Sequence, residues 1–462
     1  MNKSLKVIRI VLAALMLFGI TALLLDTTGV LRHWLGWMPK VQLLPAVLAL
    51  NVVLVISVLV VTLLIGRFYC AVVCPMGILQ DLFTWVHKLV FPKKKFRYRK
   101  PANWLRYTVL AIFVVLMVVG LNEIAVLIAP YSAYARTVTQ IHAGGVPQVV
   151  AIVTLAVIGV MSFCWGRLWC NTVCPVGSLL SLVSRYRIFG IRIDADKCVG
   201  CHRCERGCKA MCIDSANRQV DQSRCVDCWN CLGECKEGAI RLAPRSTKSK
   251  GKEDKPVDGS RRRFVATTVA VGTALAVKAQ EQKMDGGLAV LAGKQVPDRV
   301  VPLKPFGSRS QKNFSQHCTA CQLCVSQCPE KVLRPSNKLE SFMQPELNYA
   351  EGYCRTACTR CSEVCPAGAI LPVSKEEKTA ISIGRAITLT ENCISATGKD
   401  QCGACARHCP TAAISMVTND AGFARPVVNE ARCMGCGACE YYCPARPMTA
   451  IYVEGREVHA EI

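Results

Sequence analysis

CVGCHRCERGC, residues Cys198 to Cys208, sets four cysteines at steps of three, three and four. The same steps return in CVDCWNCLGEC, Cys225 to Cys235. Cysteines three apart wrap three corners of an iron–sulfur cubane, and the distal cysteine of such a run ligates the cluster of the other run. The spacing therefore predicts two [4Fe–4S] clusters. One sits on Cys198, Cys201, Cys204 and Cys235, the other on Cys225, Cys228, Cys231 and Cys208. The letters CVGCH also spell the C-x-x-C-H of covalent haem attachment. Haem would engage two cysteines and leave Cys204 and Cys208 without a task, so the cluster reading is preferred. Lys209 and Lys236 stand where a proline usually follows the fourth cysteine.

Outward from this segment, the 462-residue chain holds 30 cysteines, 52% apolar residues and a formal charge of +24. A disulfide scaffold of that cysteine density is a short secreted domain, which a chain of this length is not. The apolar excess calls for membrane segments. The charge does not point to nucleic acid, because cluster thiolates are left out of the formal count and the basic runs flank apolar stretches. No nucleic-acid partner is expected; the lipid bilayer is.

Four apolar stretches on the N-terminal side read as transmembrane helices: 10–25, 41–65, 105–129 and 146–165. Between the second and third lies a strongly basic loop from Lys88 to Arg106, which the positive-inside rule assigns to the cytoplasm. The chain is then cytoplasmic again at about residue 166. An internal repeat accompanies these helices: GRFYCAVVCPMG (66–77) matches GRLWCNTVCPVG (166–177). In both copies C-x-x-x-C spacing predicts two sulfurs one turn apart on a helix face. Cys70, Cys74, Cys170 and Cys174 are thus candidate redox-active or metal-binding thiols. Cys164 and Cys212 belong to no pattern and read as buried structural cysteines. Asp26, His33, Glu123 and His142 lie near the outer helix ends. Of these, Glu123 is the candidate catalytic proton acceptor, because an ionisable group at membrane depth is costly to keep.

After a basic linker (243–263) comes SRRRF, Ser260 to Phe264, followed by a short apolar run to about residue 280. Such a twin-arginine-like signal, or a retained anchor, would carry the remainder across the membrane. That remainder (305–462) holds four further quartets. They are Cys318, Cys321, Cys324 and Cys328; Cys354, Cys358, Cys361 and Cys365; Cys393, Cys402, Cys405 and Cys409; and Cys433, Cys436, Cys439 and Cys443. Each ends in Cys-Pro, as ferredoxin runs do and zinc knuckles do not. Six [4Fe–4S] clusters on 24 cysteines are expected in all. No nicotinamide, flavin or nucleotide motif is present.

The division expected is therefore a four-helix transmembrane domain (1–190), a two-cluster ferredoxin domain (191–242), the linker and signal (243–263 and 260–280), and a four-cluster domain (305–462). The fold class is a membrane α-helical four-helix bundle plus α+β ferredoxin-like 4Fe–4S domains. With its doubled C-x-x-x-C-P motif and paired ferredoxin runs, the N-terminal part resembles the NapH family of membrane ferredoxins. The C-terminal part, with its Arg-Arg signal, four quartets and wide Cys393–Cys402 gap, resembles the NapG/MauM family of exported ferredoxins. That double resemblance implies a multi-pass protein of the bacterial inner membrane, with N-terminal clusters cytoplasmic and C-terminal clusters periplasmic. It implies a quinol dehydrogenase component that takes electrons from the membrane quinone pool, with quinol as substrate, and passes them to a periplasmic reductase or cytochrome. The doubled motif is also similar to CcoG-type factors, which would make the chain a redox maturation or metal-reducing assembly factor instead.

Overall fold

The computed structural model describes residues 2–26, 28–91, 96–119, 121–141, 145–244, 284–285, 289–290, 294–418 and 422–462. The basic linker beyond Pro244 and the Arg-Arg segment at 260–280 lie outside the described residues.

The first helix runs Asn2–Leu25, 24 residues or about 36 Å at 1.5 Å per residue. Ser4–Leu25 and Gly145–Trp165 are long and apolar enough to cross a membrane; Val52–Leu64 and Asn103–Val119 are apolar but shorter. The stretch expected as one span at 41–65 is divided. Leu43–Leu48 ends before Asn51, whose side chain caps Val52–Leu64 by accepting from the Leu54 amide at 3.2 Å. The expected span 105–129 likewise stops at Val119, and a separate turn Asn122–Ala125 follows.

More than four helices build this unit. Pro75–Val90, Pro130–Gln140 and Pro175–Ser184 each begin with proline at the first helical position. The residues before those prolines, Cys74, Ala129 and Cys174, are extended, with ψ of 113°, 128° and 118°. Proline at that position loses no needed hydrogen bond, while it bars the residue before it from helical geometry. A new helix must start there, in a new direction. Pro75–Val90 and Pro130–Gln140 pack on each other and against both long helices. A simple bundle of four is therefore not what forms.

Two small α+β units attach to this helical layer. In the first, strand Phe189–Ile193 pairs antiparallel with Ile240–Pro244, so the segment between them closes on itself. Its core takes in Leu5, near the start of the first helix. In the second, Ile381–Thr388 pairs antiparallel with Ile451–Glu461. This unit meets the other end of the first helix: Gln327 Nε2 donates to the Leu23 carbonyl at 3.2 Å and to that of Asp26. Arg32 and Glu363 add an ion pair at 2.7 Å. The two units are thus held at opposite ends of one helix.

Candidate metal centres

Four of the cysteine loops share one backbone pattern. Two and four residues after the first cysteine, φ is positive: Gly200 and His202, Asp227 and Trp229, Ala320 and Gln322, Gly435 and Gly437. Alternating handedness turns neighbouring amide N–H groups toward one point, a nest suited to an anion. The Ala320 amide donates to Cys318 Sγ at 3.4 Å, and the Ala413 amide to Cys409 Sγ at 3.2 Å.

Between the loops are cavities walled by sulfur. One is lined by Cys198, Cys201, Cys204 and Cys235. A second has Cys208, Cys225, Cys228 and Cys231. In the second α+β unit the groups are Cys318, Cys321, Cys324 with Cys365; Cys354, Cys358, Cys361 with Cys328; and Cys393, Cys402, Cys405 with Cys443. Cys409 feels the charges of Cys433 and Cys436. Every run lends its distal cysteine to its partner run.

The surroundings suit thiolate-bound iron–sulfur clusters. Buried cations stand beside the sulfurs: Lys378 Nζ is 3.3 Å from Cys354 Sγ, Arg187 lies against Cys225, Lys209 near Cys228 and Lys304 near Cys318. A cation there favours thiolate over thiol. Around zinc, sulfurs about 2.3 Å from the metal would stand about 3.8 Å apart. Among the described residues, no three His, Cys, Asp or Glu side chains are gathered to hold a single ion. A cubane spreads its ligands more widely.

The repeated membrane motif makes a further group. Cys70 lies in the short helix Phe68–Val72, whereas Cys74 is the extended residue that caps Pro75–Val90. Cys170 and Cys174 repeat this in Leu168–Thr172 and Pro175–Ser184. The two sulfurs of a pair therefore do not share one helix face; the proline after the second cysteine breaks the helix between them. All four cysteines are buried and face one another across the two repeats.

An exchange of arginines locks the repeats together. Arg167 Nη1 donates to the Cys70 carbonyl at 2.7 Å, and Arg67 Nη2 to the Cys170 carbonyl at 3.1 Å. Gly77 and Gly177 permit the approach, since a Cβ on either would stand 2.3 Å or 2.2 Å from the same carbonyl oxygens. Asp81 receives Arg167 at 2.6 Å and Arg9 at 3.1 Å, and also pairs with Lys209, which follows Cys208 of the first ferredoxin unit. On the other side, Tyr69 lies near these cysteines and Tyr131, and Tyr131 lies beside Cys321 and Cys365.

Other expected residues fare differently. Cys164, read as buried, is exposed, because it lies on the outward face of Gly145–Trp165 with Val153, Val157 and Val160, all exposed; Cys212 lines the cavity of the second quartet, 3.6 Å from Cys208 Sγ. The Asp26 carboxylate accepts the amides of Thr28, Gly29 and Leu31 at 2.9–3.0 Å, so it caps a turn. His33 is exposed. Glu123 falls in the turn Asn122–Ala125, and its side chain, like all of His142, lies outside the described residues. Sequence reasoning missed Asp81, Tyr69, Tyr131 and the fully buried Arg136, which donates to the Val126 and Leu127 carbonyls at 3.2 and 2.9 Å. Of these only Tyr69 sits inside the repeated motif, opposite Trp169 of the second copy.

Comparison with known proteins agrees with this chemistry. A family described as a 4Fe-4S binding domain matches residues 47–99 and again 146–193, and a 4Fe-4S dicluster family matches 317–369 and 400–446. The methylamine utilization ferredoxin-type protein MauM of Methylobacillus flagellatus is 32% identical over 32% of this chain and 67% of its own length. The ferredoxin-type protein NapF of Escherichia coli K12 is 26% identical over 33% of this chain and 85% of its own. The putative electron transport protein YccM of the same strain is 24% identical over 37% of this chain, and the match spans only 53% of YccM. No solved structure matches. Given cysteine nests of ferredoxin geometry and a relative matched over two thirds of its length, the chain belongs to the ferredoxin-type iron–sulfur proteins and serves electron transfer.

Proposed function

We propose that the chain is a membrane-bound quinol dehydrogenase component, a fusion of a NapH-like and a NapG-like ferredoxin, carrying six [4Fe–4S] clusters on the six crossed quartets. The observation that carries this reading is the placement of the two ferredoxin units at opposite ends of the Asn2–Leu25 helix. A helix of about 36 Å matches the hydrocarbon thickness of a bilayer, about 30 Å. Its outward side chains, among them Val11, Leu15 and Phe18, are exposed and apolar, as are Val53 and Ile56 on Val52–Leu64 and Val115 and Val118 on Asn103–Val119. Such a continuous apolar surface is stable against lipid and not against water. In this reading the first unit faces the cytoplasm and the second the periplasm, where it meets a reductase or cytochrome.

A bound cubane takes up and releases one electron at a time. The protein's part is to hold the sulfurs, to screen their charge with Lys209, Arg187, Lys304 and Lys378, and to accept the protons that quinol sheds. Asp26 is committed to its turn, so Glu123 is the proposed acceptor. The test is reduction of the clusters in anaerobic proteoliposomes by a reduced menaquinol analogue, followed as visible bleaching. Quinol-dependent bleaching that slows at least tenfold in Glu123→Gln is expected. Full bleaching by dithionite with none by quinol would refute the assignment.

A further inference from the structure

We infer that Cys70, Cys74, Cys170 and Cys174 together ligate one additional [4Fe–4S] cluster, shared between the two membrane repeats. The inference goes beyond the six ferredoxin quartets while resting on the iron–sulfur reading of the chain.

Each repeat matches a 4Fe-4S binding family on its own, yet each offers two cysteines at its motif. A cubane bound by cysteine alone takes four. One repeat cannot complete the set, and the fold supplies the remainder by bringing the second pair against the first. All four thiols are buried in one place, and no disulfide joins them. Like the ferredoxin quartets, the tetrad does not gather three ligands close enough for a single ion.

The charges around the tetrad give a second, independent argument. Arg67 is fully buried. Its described hydrogen bonds go to Asn171 Oδ1 at 2.7 Å, the Ser223 carbonyl at 3.2 Å and the Cys170 carbonyl at 3.1 Å, none of them an anion. Its Nε is buried and makes no hydrogen bond among the described residues, and the same holds for Nη2 of Arg167. Arg167 reaches Asp81, but Arg9 and Lys209 crowd that same carboxylate. Three buried cations thus share one carboxylate, and Arg67 has no ion pair among the described residues. Buried charge without a counter-ion is strongly destabilising. Both guanidiniums lie beside Cys70, and Arg167 beside Cys170 as well. Four thiolates on a cubane carry a net charge of about −2, which supplies the missing anion where the arginines converge. Gln80 Nε2, 3.3 Å from Cys170 Sγ, and the Gly177 amide, 3.3 Å from Cys174 Sγ, add the N–H···S contacts that cluster ligands receive.

The experiment compares the full-length chain, purified anaerobically, with Cys70→Ser, Cys170→Ser and the control Cys164→Ser. Iron and acid-labile sulfide are counted, and Mössbauer spectra are integrated. The wild type should hold seven cubanes, about 28 iron per chain, and either tetrad variant about 24, with the control unchanged. Six cubanes in the wild type, with tetrad variants no poorer in iron, overturn this inference and leave the six-quartet reading intact. Fewer than six would strike that reading instead. A misfolded variant would lose far more than one cluster's iron, so the wild-type count stands as a separate arm. Non-reducing alkylation and mass spectrometry of the unfolded wild type provide a further one: a disulfide among the four cysteines overturns the proposal, and four free thiols uphold it.

Discussion

Replacing Gly77 with alanine strikes the arginine exchange at its tightest point. The added Cβ would stand 2.3 Å from the Cys70 carbonyl oxygen and 3.4 Å from Arg167 Nη1. The obstacle is backbone, so it cannot rotate away. Relief needs a separation of about 1 Å between Phe68–Val72 and the start of Pro75–Val90, of the kind that costs about 1–3 kcal/mol in a packed interior. That shift also strains the hydrogen bond from Arg167 to the Cys70 carbonyl, 2.7 Å long, and bonds to charged donors contribute about 1.5–3 kcal/mol. Alanine returns about 1 kcal/mol of helix propensity. The net loss is about 1.5–5 kcal/mol. Gly233 is the internal control: it sits in the helix Asn230–Glu234 with no atom within 4 Å of its would-be Cβ. There alanine should gain up to about 1 kcal/mol. Both variants are assayed by urea unfolding in detergent under anaerobic conditions. Gly77→Ala within about 0.5 kcal/mol of wild type would refute the close-approach argument.

Three other predictions concern the second unit. Glu440 is 1% exposed and holds Arg299 through both oxygens at 2.6 and 2.8 Å, while accepting the Val453 amide at 2.8 Å. Glu440→Ala strands the guanidinium and should cost about 3–5 kcal/mol by thermal unfolding; a loss below 1 kcal/mol contradicts that. Burial pushes the His459 imidazole down to about 4, and neither ring nitrogen has a partner among the described residues. The unfolded chain protonates it near 6.5, so stability is full above that pH and falls as pH drops toward 4, by roughly 3 kcal/mol at most. His459→Leu should flatten this slope between pH 6.5 and 4, and an unchanged slope rejects it. Lys378→Met removes the cation at Cys354 and should lower the potential of the cluster held there, read by redox-titrated EPR; a rise or no change counts against the charge-screening role.

The ferredoxin loops were legible because their ligands are local. Steps of three between cysteines dictate which sulfurs meet, and positive φ at Gly200 or Gly435 is a short-range device. In the second unit the runs alone leave the pairing of distal cysteines open; the fold crosses them there too, even where the gap widens at Cys393–Cys402. The helical unit was less legible. Apolar stretches announce themselves by composition, but breaks at Asn51 and after Val119 lie inside runs that read as continuous. The C-x-x-x-C pairs looked like one helix face because helical spacing was assumed across the residue before Pro75, where proline forbids it. The exchange of Arg67 and Arg167 joins residues about a hundred positions apart, and only the duplication of Gly-Arg hinted at it.

The most direct test of the central claim is the metal inventory of the anaerobically purified chain, with iron, sulfide, zinc and haem measured against protein. At least 24 iron with equal sulfide, all in cubanes by Mössbauer spectroscopy, is expected, with neither zinc nor covalent haem. Stoichiometric zinc with little iron, or a haem bound through Cys198 and Cys201, would contradict it.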